Sequence, residues 1–218
     1  MKIFIIGATG MAGQALTEKA IAAGHEVVAN ARHAEKLAAL QTTLPNISVL
    51  AKDAFALTAA DFADVDVILD AFATAPDQAY LHVDLAAKLV AILRNTDTRI
   101  GFVLGAGSLW TGAGADKHLA YDDILADPET IAWRAIPENQ LDELEFLRRV
   151  KNVNWFGVSP GLMFVPGAEA TNALLGQDEL LFNAAGESVT TPGTMATAML
   201  NEIAEPAHQQ ARFTVVNG

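Results

Sequence analysis

Cysteine is absent from the chain, which excludes disulfides, thiolate catalysis and cysteine-ligated metal sites. Basic side chains are scarce, with 14 Lys and Arg against 26 Asp and Glu and a formal net charge of −12. A field of that sign opposes nonspecific binding to nucleic acid or an anionic membrane, so neither is expected as a partner. No apolar run approaches the roughly 18 residues of a membrane span, and Ile3 to Ile6 is far too short for a signal-peptide core, so a cytoplasmic protein is expected. Tyrosine occurs only at Tyr80 and Tyr121. What is present, 51% apolar and 18% charged residues in 218, suits a compact globular chain.

Short apolar runs alternate with segments of helical spacing. Strands are expected at Met1 to Ile6, His25 to Ala29, Ile47 to Ala51, Asp66 to Asp70, Arg99 to Leu104 and Asn154 to Val158. Helices are expected at Met11 to Ala23, Ala34 to Leu40, Gln78 to Asn95 and Pro137 to Val150. Continuous Val, Ile, Leu and Phe strands separated by helices describe a doubly wound α/β fold, a mostly parallel Rossmann sheet covered on both faces. The rhythm breaks after Ser159-Pro160-Gly161. Short strands at Leu180 to Asn183 and Ser188 to Thr190, a helix at Gly193 to Ala204 and a strand at Ala211 to Val216 read as a small substrate-side lobe. Residues 1–160 are thus the dinucleotide-binding domain, and residues 161–218 a lobe packed on it.

The stretch GATGMAG follows the first strand and opens the first helix. Gly7 permits a tight turn, Gly10 lets backbone N–H groups approach a pyrophosphate, and Gly13 brings helix and strand close. With Ala8, Thr9, Met11 and Ala12 these residues form the expected phosphate grip, at the positive end of a helix dipole.

The second strand ends in Asn30-Ala31-Arg32-His33, where an NAD-binding chain would carry a ribose-binding carboxylate. Without it nothing repels a 2′-phosphate, and the Arg32 guanidinium can pair with one, so NADP(H) is favoured over NAD(H). A solvated surface arginine is the alternative. Other strand ends should meet the cofactor by topology: Asp53 and Ala54 near the adenine, Ala71 and Phe72 after the fourth strand, and Gly105 after the fifth.

The spacing GxxGxxG resembles the short-chain dehydrogenase/reductase superfamily over most of the chain. Typical members use a Ser with a YxxxK pair; here the Tyr and Lys slots before NWFGVSP hold Ile136 and Gln140. Ketone reduction and sugar-nucleotide epimerisation need a proton placed on or taken from an alkoxide, whereas hydride transfer to a flavin or conjugated acceptor needs much less. GATGMAG, ARHAEKL, LGAGSLWTGAG, NWFGVSPGLMFVPG and the C-terminal segment look like atypical short-chain reductases of the NAD(P)H-flavin reductase kind, related to biliverdin-IXβ/flavin reductases and NmrA-like proteins. The resemblance implies reduction of a flavin or quinone-like small planar acceptor. An NADP(H)-binding sensor without turnover is the rival reading, and an epimerase-like enzyme a weaker one.

Within that frame Ser108 takes the place of the superfamily serine, with an ST-turn residue as the alternative. Ser159, Pro160 and Gly161 should lie beside the nicotinamide, unless they form a plain strand-ending turn. His82 is the one histidine expected near the crevice and a candidate acid or base, with a packed or solvated histidine as the other reading. Trp110, Met163 and Phe164 are candidate walls of an acceptor pocket, or core residues. The acids of DELE, Asp142 to Glu145, read as a solvated helix face, and no metal-ligand pattern is present.

Overall fold

The computed structural model describes residues 1–218. In chain order its elements are β1 (Lys2–Ile6), α1 (Met11–Ala22), β2 (Glu26–Ala31), α2 (Ala34–Thr43), β3 (Ile47–Ala51), β4 (Val67–Asp70), α3 (Leu81–Leu93) and β5 (Arg99–Val103). There follow β6 (Trp110–Thr111), β7 (His118–Leu119), α4 (Ala120–Ala126), α5 (Ala135–Arg148), β8 (Asn154–Pro160), β9 (Met163–Phe164), β10 (Ala173–Gly176), β11 (Val189–Thr190), α6 (Pro192–Ala204) and β12 (Ala211–Asn217). Eight strands form one sheet in the order β10-β12-β8-β5-β4-β1-β2-β3, parallel throughout except for β10.

Burial on both faces explains the continuous apolar strands. In β1, Ile3 and Ile5 face one core with Leu16 and Ala20 of α1, Leu37 of α2 and Met199 and Ile203 of α6. Phe4 and Ile6 face the other, against Leu85 and Leu89 of α3 and Leu144 and Leu147 of α5. The chain leaves β1 toward β2 and β3 on one side and fills β4, β5 and β8 on the other. That reversal between β1 and β4 opens a crevice at the carboxyl ends of the strands, where ligands bind in such sheets.

The residues after Gly161 are woven into this architecture. β12 lies between β8 and β10 in the main sheet, and α6 packs alongside α1. The strand expected at Leu180 to Asn183 does not form; Glu179 makes a single bridge to Trp110, while Ala173–Gly176 supplies the edge strand. Local apolar content marked the first segment, but the sheet edge was filled by the second, whose Leu174 and Leu175 are exposed.

Candidate dinucleotide site

The turn from β1 into α1 requires its glycines. Gly7 has φ +75°, and a Cβ there would stand 2.4 Å from the Ala71 carbonyl oxygen. A Cβ on Gly13 would come within 2.1 Å of the Gly7 oxygen, so α1 packs on the loop only because Gly13 has no side chain. Gly10 caps α1 without any side-chain bond. The N–H groups of Met11, Ala12 and Gly13 find no acceptor in the protein, and the first intrahelical bond is Gln14 N–H to the Gly10 oxygen. Such bare donors at the positive end of a helix suit an anion.

The crevice above this turn is lined by Gly7, Thr9 and Gly10 from the loop, Asn30 to His33 and Lys36 from the β2–α2 region, Lys52 and Ala54 beyond β3, and Ala71 to Ala73 beyond β4. Arg32 and Lys36 are exposed and take part in no ion pair, whereas Lys52 is held by Asp61 at 2.7 Å. Asn30 is buried; its amide N–H groups reach the carbonyls of Leu50 and Lys52, and its Oδ1 has no partner. An orphaned buried acceptor and a pair of unpaired cations beside bare N–H groups suit an anionic dinucleotide. Sequence reasoning singled out Arg32 and passed over Asn30, Lys36 and Lys52. Lys36 lies four residues after Arg32 in ARHAEK, a spacing that was there to be read.

Several expected contacts are placed differently. Ala8 is fully buried, giving its N–H to the Asn30 carbonyl. Met11 and Ala12 open α1, Met11 exposed and Ala12 half-buried. Asp53 turns its carboxylate back to accept the Phe55 N–H at 2.8 Å, leaving Lys52 and Ala54 on the crevice wall.

The strand ends of β5 and β8, expected to meet the nicotinamide, carry a closed network. Ser108 donates to the Gly105 carbonyl at 3.2 Å, and Ser159 to the same oxygen at 2.8 Å. Arg212 of β12 donates Nη1 to both hydroxyls, at 3.0 and 2.8 Å, and its Nε to Asp178 at 2.9 Å. Ser108 is buried, and its hydroxyl is bonded to Arg212 and Gly105, as the turn-residue alternative expects. Pro160 ends β8, and Gly161 N–H donates to Thr190 at 2.8 Å. Beside them a Cβ on Gly105 would meet the Gln140 Oε1 at 2.4 Å, so the Gln140 amide of α5 abuts that strand end. Trp110 and Met163 are exposed, and Phe164 packs partly against the α1 and α6 core.

His82 lies behind the crevice, its ring edge-on to Phe72 at 5.5 Å between centroids. It is buried, and burial pushes its imidazole down to about 4, so it stands neutral, as the packed-histidine alternative expects. Glu143, taken with its neighbours for a solvated face, is buried at 3% exposure and lies 3.9 Å from His82 Nδ1.

A sheet with this strand order and this glycine turn defines an NAD(P)-binding oxidoreductase. A family model described as "NADP oxidoreductase coenzyme F420-dependent" matches residues 2–90, the segment that holds the grip. The protein YwnB of Bacillus subtilis (strain 168) is 36% identical over 219 residues, across 100% of this chain and 99% of that one. A solved Lactobacillus casei protein is 38% identical with a TM-score of 0.90, covering 100% of both chains. A Streptococcus pneumoniae structure named a "putative NADH-flavin reductase" is 31% identical with a TM-score of 0.88, again over 100% of both. The chain belongs to this family of atypical short-chain, flavin-reductase-like oxidoreductases. No helix is long and apolar enough to cross a membrane.

Proposed function

We propose that the protein is an NADPH-dependent reductase that passes hydride to a flavin or a similar planar conjugated acceptor. The observation that carries the reading is a crevice lined by Arg32 and Lys36, free of acidic partners, and by the Gly7–Gly10 turn that leads into the unpaired N–H groups at the start of α1. In a chain of net charge −12, cations left without carboxylates suit a phosphorylated ligand.

NADPH, when bound, supplies the hydride. The N–H groups of Met11, Ala12 and Gly13 hold the pyrophosphate, while Arg32 and Lys36 take the 2′-phosphate. Asn30 Oδ1 offers an acceptor at the adenosine end, and Ala71 and Phe72 form the opposite wall. Gly105 and the end of β8 at Ser159, Pro160 and Gly161 would form a rigid support under the far end, held by Arg212. Where a Tyr–Lys dyad would stand, α5 presents Ile136 and Gln140, and neither can exchange a proton with an alkoxide. That supports an acceptor whose proton comes from solvent, so that orientation does most of the work. The exposed Trp110 and Met163 give a flat ring apolar surface to lie on.

The test is to mix the purified protein with NADPH and FMN, riboflavin or a quinone and to follow loss of the reduced-nicotinamide absorbance. Turnover on at least one acceptor is expected. Tight NADPH binding without turnover on any of them would overturn the reading in favour of a dinucleotide sensor.

A further inference from the structure

Behind the crevice wall lie three titratable side chains that the proposed reaction does not use. Asp70 ends β4 at 5% exposure, and its Oδ1 accepts the Phe72 N–H at 3.0 Å. Glu143 reaches in from α5 with Oε2 bonded to nothing, and His82 comes from α3. No lysine or arginine pairs with either carboxylate, although the protein's other strongly buried carboxylate, Glu202, is met by Arg99. A buried carboxyl without a cation is driven to keep its proton.

The cluster touches the dinucleotide wall at more than one point. Phe72 packs on His82 and is held by Asp70 through its own N–H. Ala71, next to Asp70, donates its N–H to the Ile6 carbonyl at 3.1 Å and sets its own oxygen against Gly7. Phosphates bound at the Gly7 turn therefore bring negative charge to the far side of a wall one residue thick.

We propose that Asp70, Glu143 and His82 form a buried proton-holding cluster that positions the Ala71–Phe72 wall, and that the dinucleotide binds together with a proton taken from solvent onto the carboxyl pair. The inference rests on dinucleotide binding in this crevice and not on the identity of the acceptor. Its direction follows from electrostatics. Burial pushes Asp70 up to about 7, while burial and then the charge of Asp70 raise Glu143 well above the usual carboxylate range. Two buried carboxyls without a cation resist holding two negative charges, and an incoming polyanion favours protonation of both. His82, neutral from burial, adds no charge, and no charged side chain from β1, β5, α3 or α5 other than these three meets the pair. The proton goes from water to a carboxylate oxygen and no electron moves. Asp70 and Glu143 are positioning residues, acting through Phe72 and Ala71.

The test is calorimetric titration with NADPH at pH 7 in buffers of different ionisation enthalpy, which counts protons taken up on binding. His33 lines the crevice rim, so all proteins carry His33→Gln to remove its imidazole from the count, and the ligand's own 2′-phosphate cancels in the comparison between proteins. Expected is net uptake that is lost in Asp70→Asn and kept in Glu143→Gln, whose amide mimics the protonated acid. A merely structural role would lower affinity in both variants and change the proton count in neither. Equal proton counts with and without the Asp70 carboxyl would overturn the proposal. If Asp70→Asn does not fold, the infrared difference spectrum of the otherwise unaltered protein with and without NADPH decides. A gain in the protonated-carboxyl band at pH 7 is expected, and its absence would overturn the proposal. Binding with no extra proton leaves the reductase reading untouched, whereas absence of NADPH binding defeats that reading first.

Discussion

The two ends of the sheet's carboxyl edge are built on opposite rules. At the β1–β2 end, groups are left wanting: three N–H donors of α1 without acceptors, Asn30 Oδ1 without a donor, and Arg32 and Lys36 without acids. At the β5–β8 end Arg212 joins Ser108, Ser159 and Asp178 into one bonded network. Polar groups that a fold leaves unsatisfied beside a crevice mark where a ligand finishes the structure; those it satisfies are holding strands together. Ser108, its hydroxyl bonded to Arg212 and Gly105, is of the second kind.

Breaking each end should give a different signature. The largest effect is expected from Gly13→Ala, whose Cβ would lie 2.1 Å from the Gly7 oxygen. It should destabilise the fold by roughly 3 kcal/mol or more in urea denaturation and abolish dinucleotide binding. Asp178→Ala leaves the buried Arg212 guanidinium without its half-exposed acid; with solvent screening and the serine acceptors retained, stability should fall by about 2 kcal/mol, with NADPH affinity unchanged in the protein that remains folded. Arg32→Ala reverses that pattern: no change in urea midpoint, NADPH affinity down by about 10- to 100-fold, and NADH affinity altered about threefold or less in the same titration. Ser108→Ala removes the hydroxyl that accepts from the Arg212 guanidinium, which keeps Ser159 and Asp178, so a loss of about 1.5 kcal/mol is expected in denaturation, with turnover held within about threefold in the absorbance assay. A collapse of turnover in Ser108→Ala would show that the closed end takes part in chemistry.

The layered fold and the grip were legible because each is written locally. Apolar runs bounded by helical spacing give β1 to β5 and β8, and three glycines at intervals of three give the turn. The remaining features are long-range. β12 enters the sheet beside β8 by a pairing of Ala211 with Phe156, which no neighbouring residue announces. β10 was missed because its leucines face solvent at a sheet edge and show no buried pattern. Arg212 finds Asp178 across 34 residues, and Glu143 looks like any acid of a solvated DELE face until α3 and β4 close over it. Burial is decided by what packs on a helix, which the helix's own sequence shows only in part.

The β1–β2 end is tested most directly by the dissociation constants of NADPH and NADH for the unaltered protein in one buffer. The open cations at Arg32 and Lys36 predict that NADPH binds at least about tenfold tighter, a difference of about 1.4 kcal/mol. Equal affinities for the two dinucleotides would contradict it.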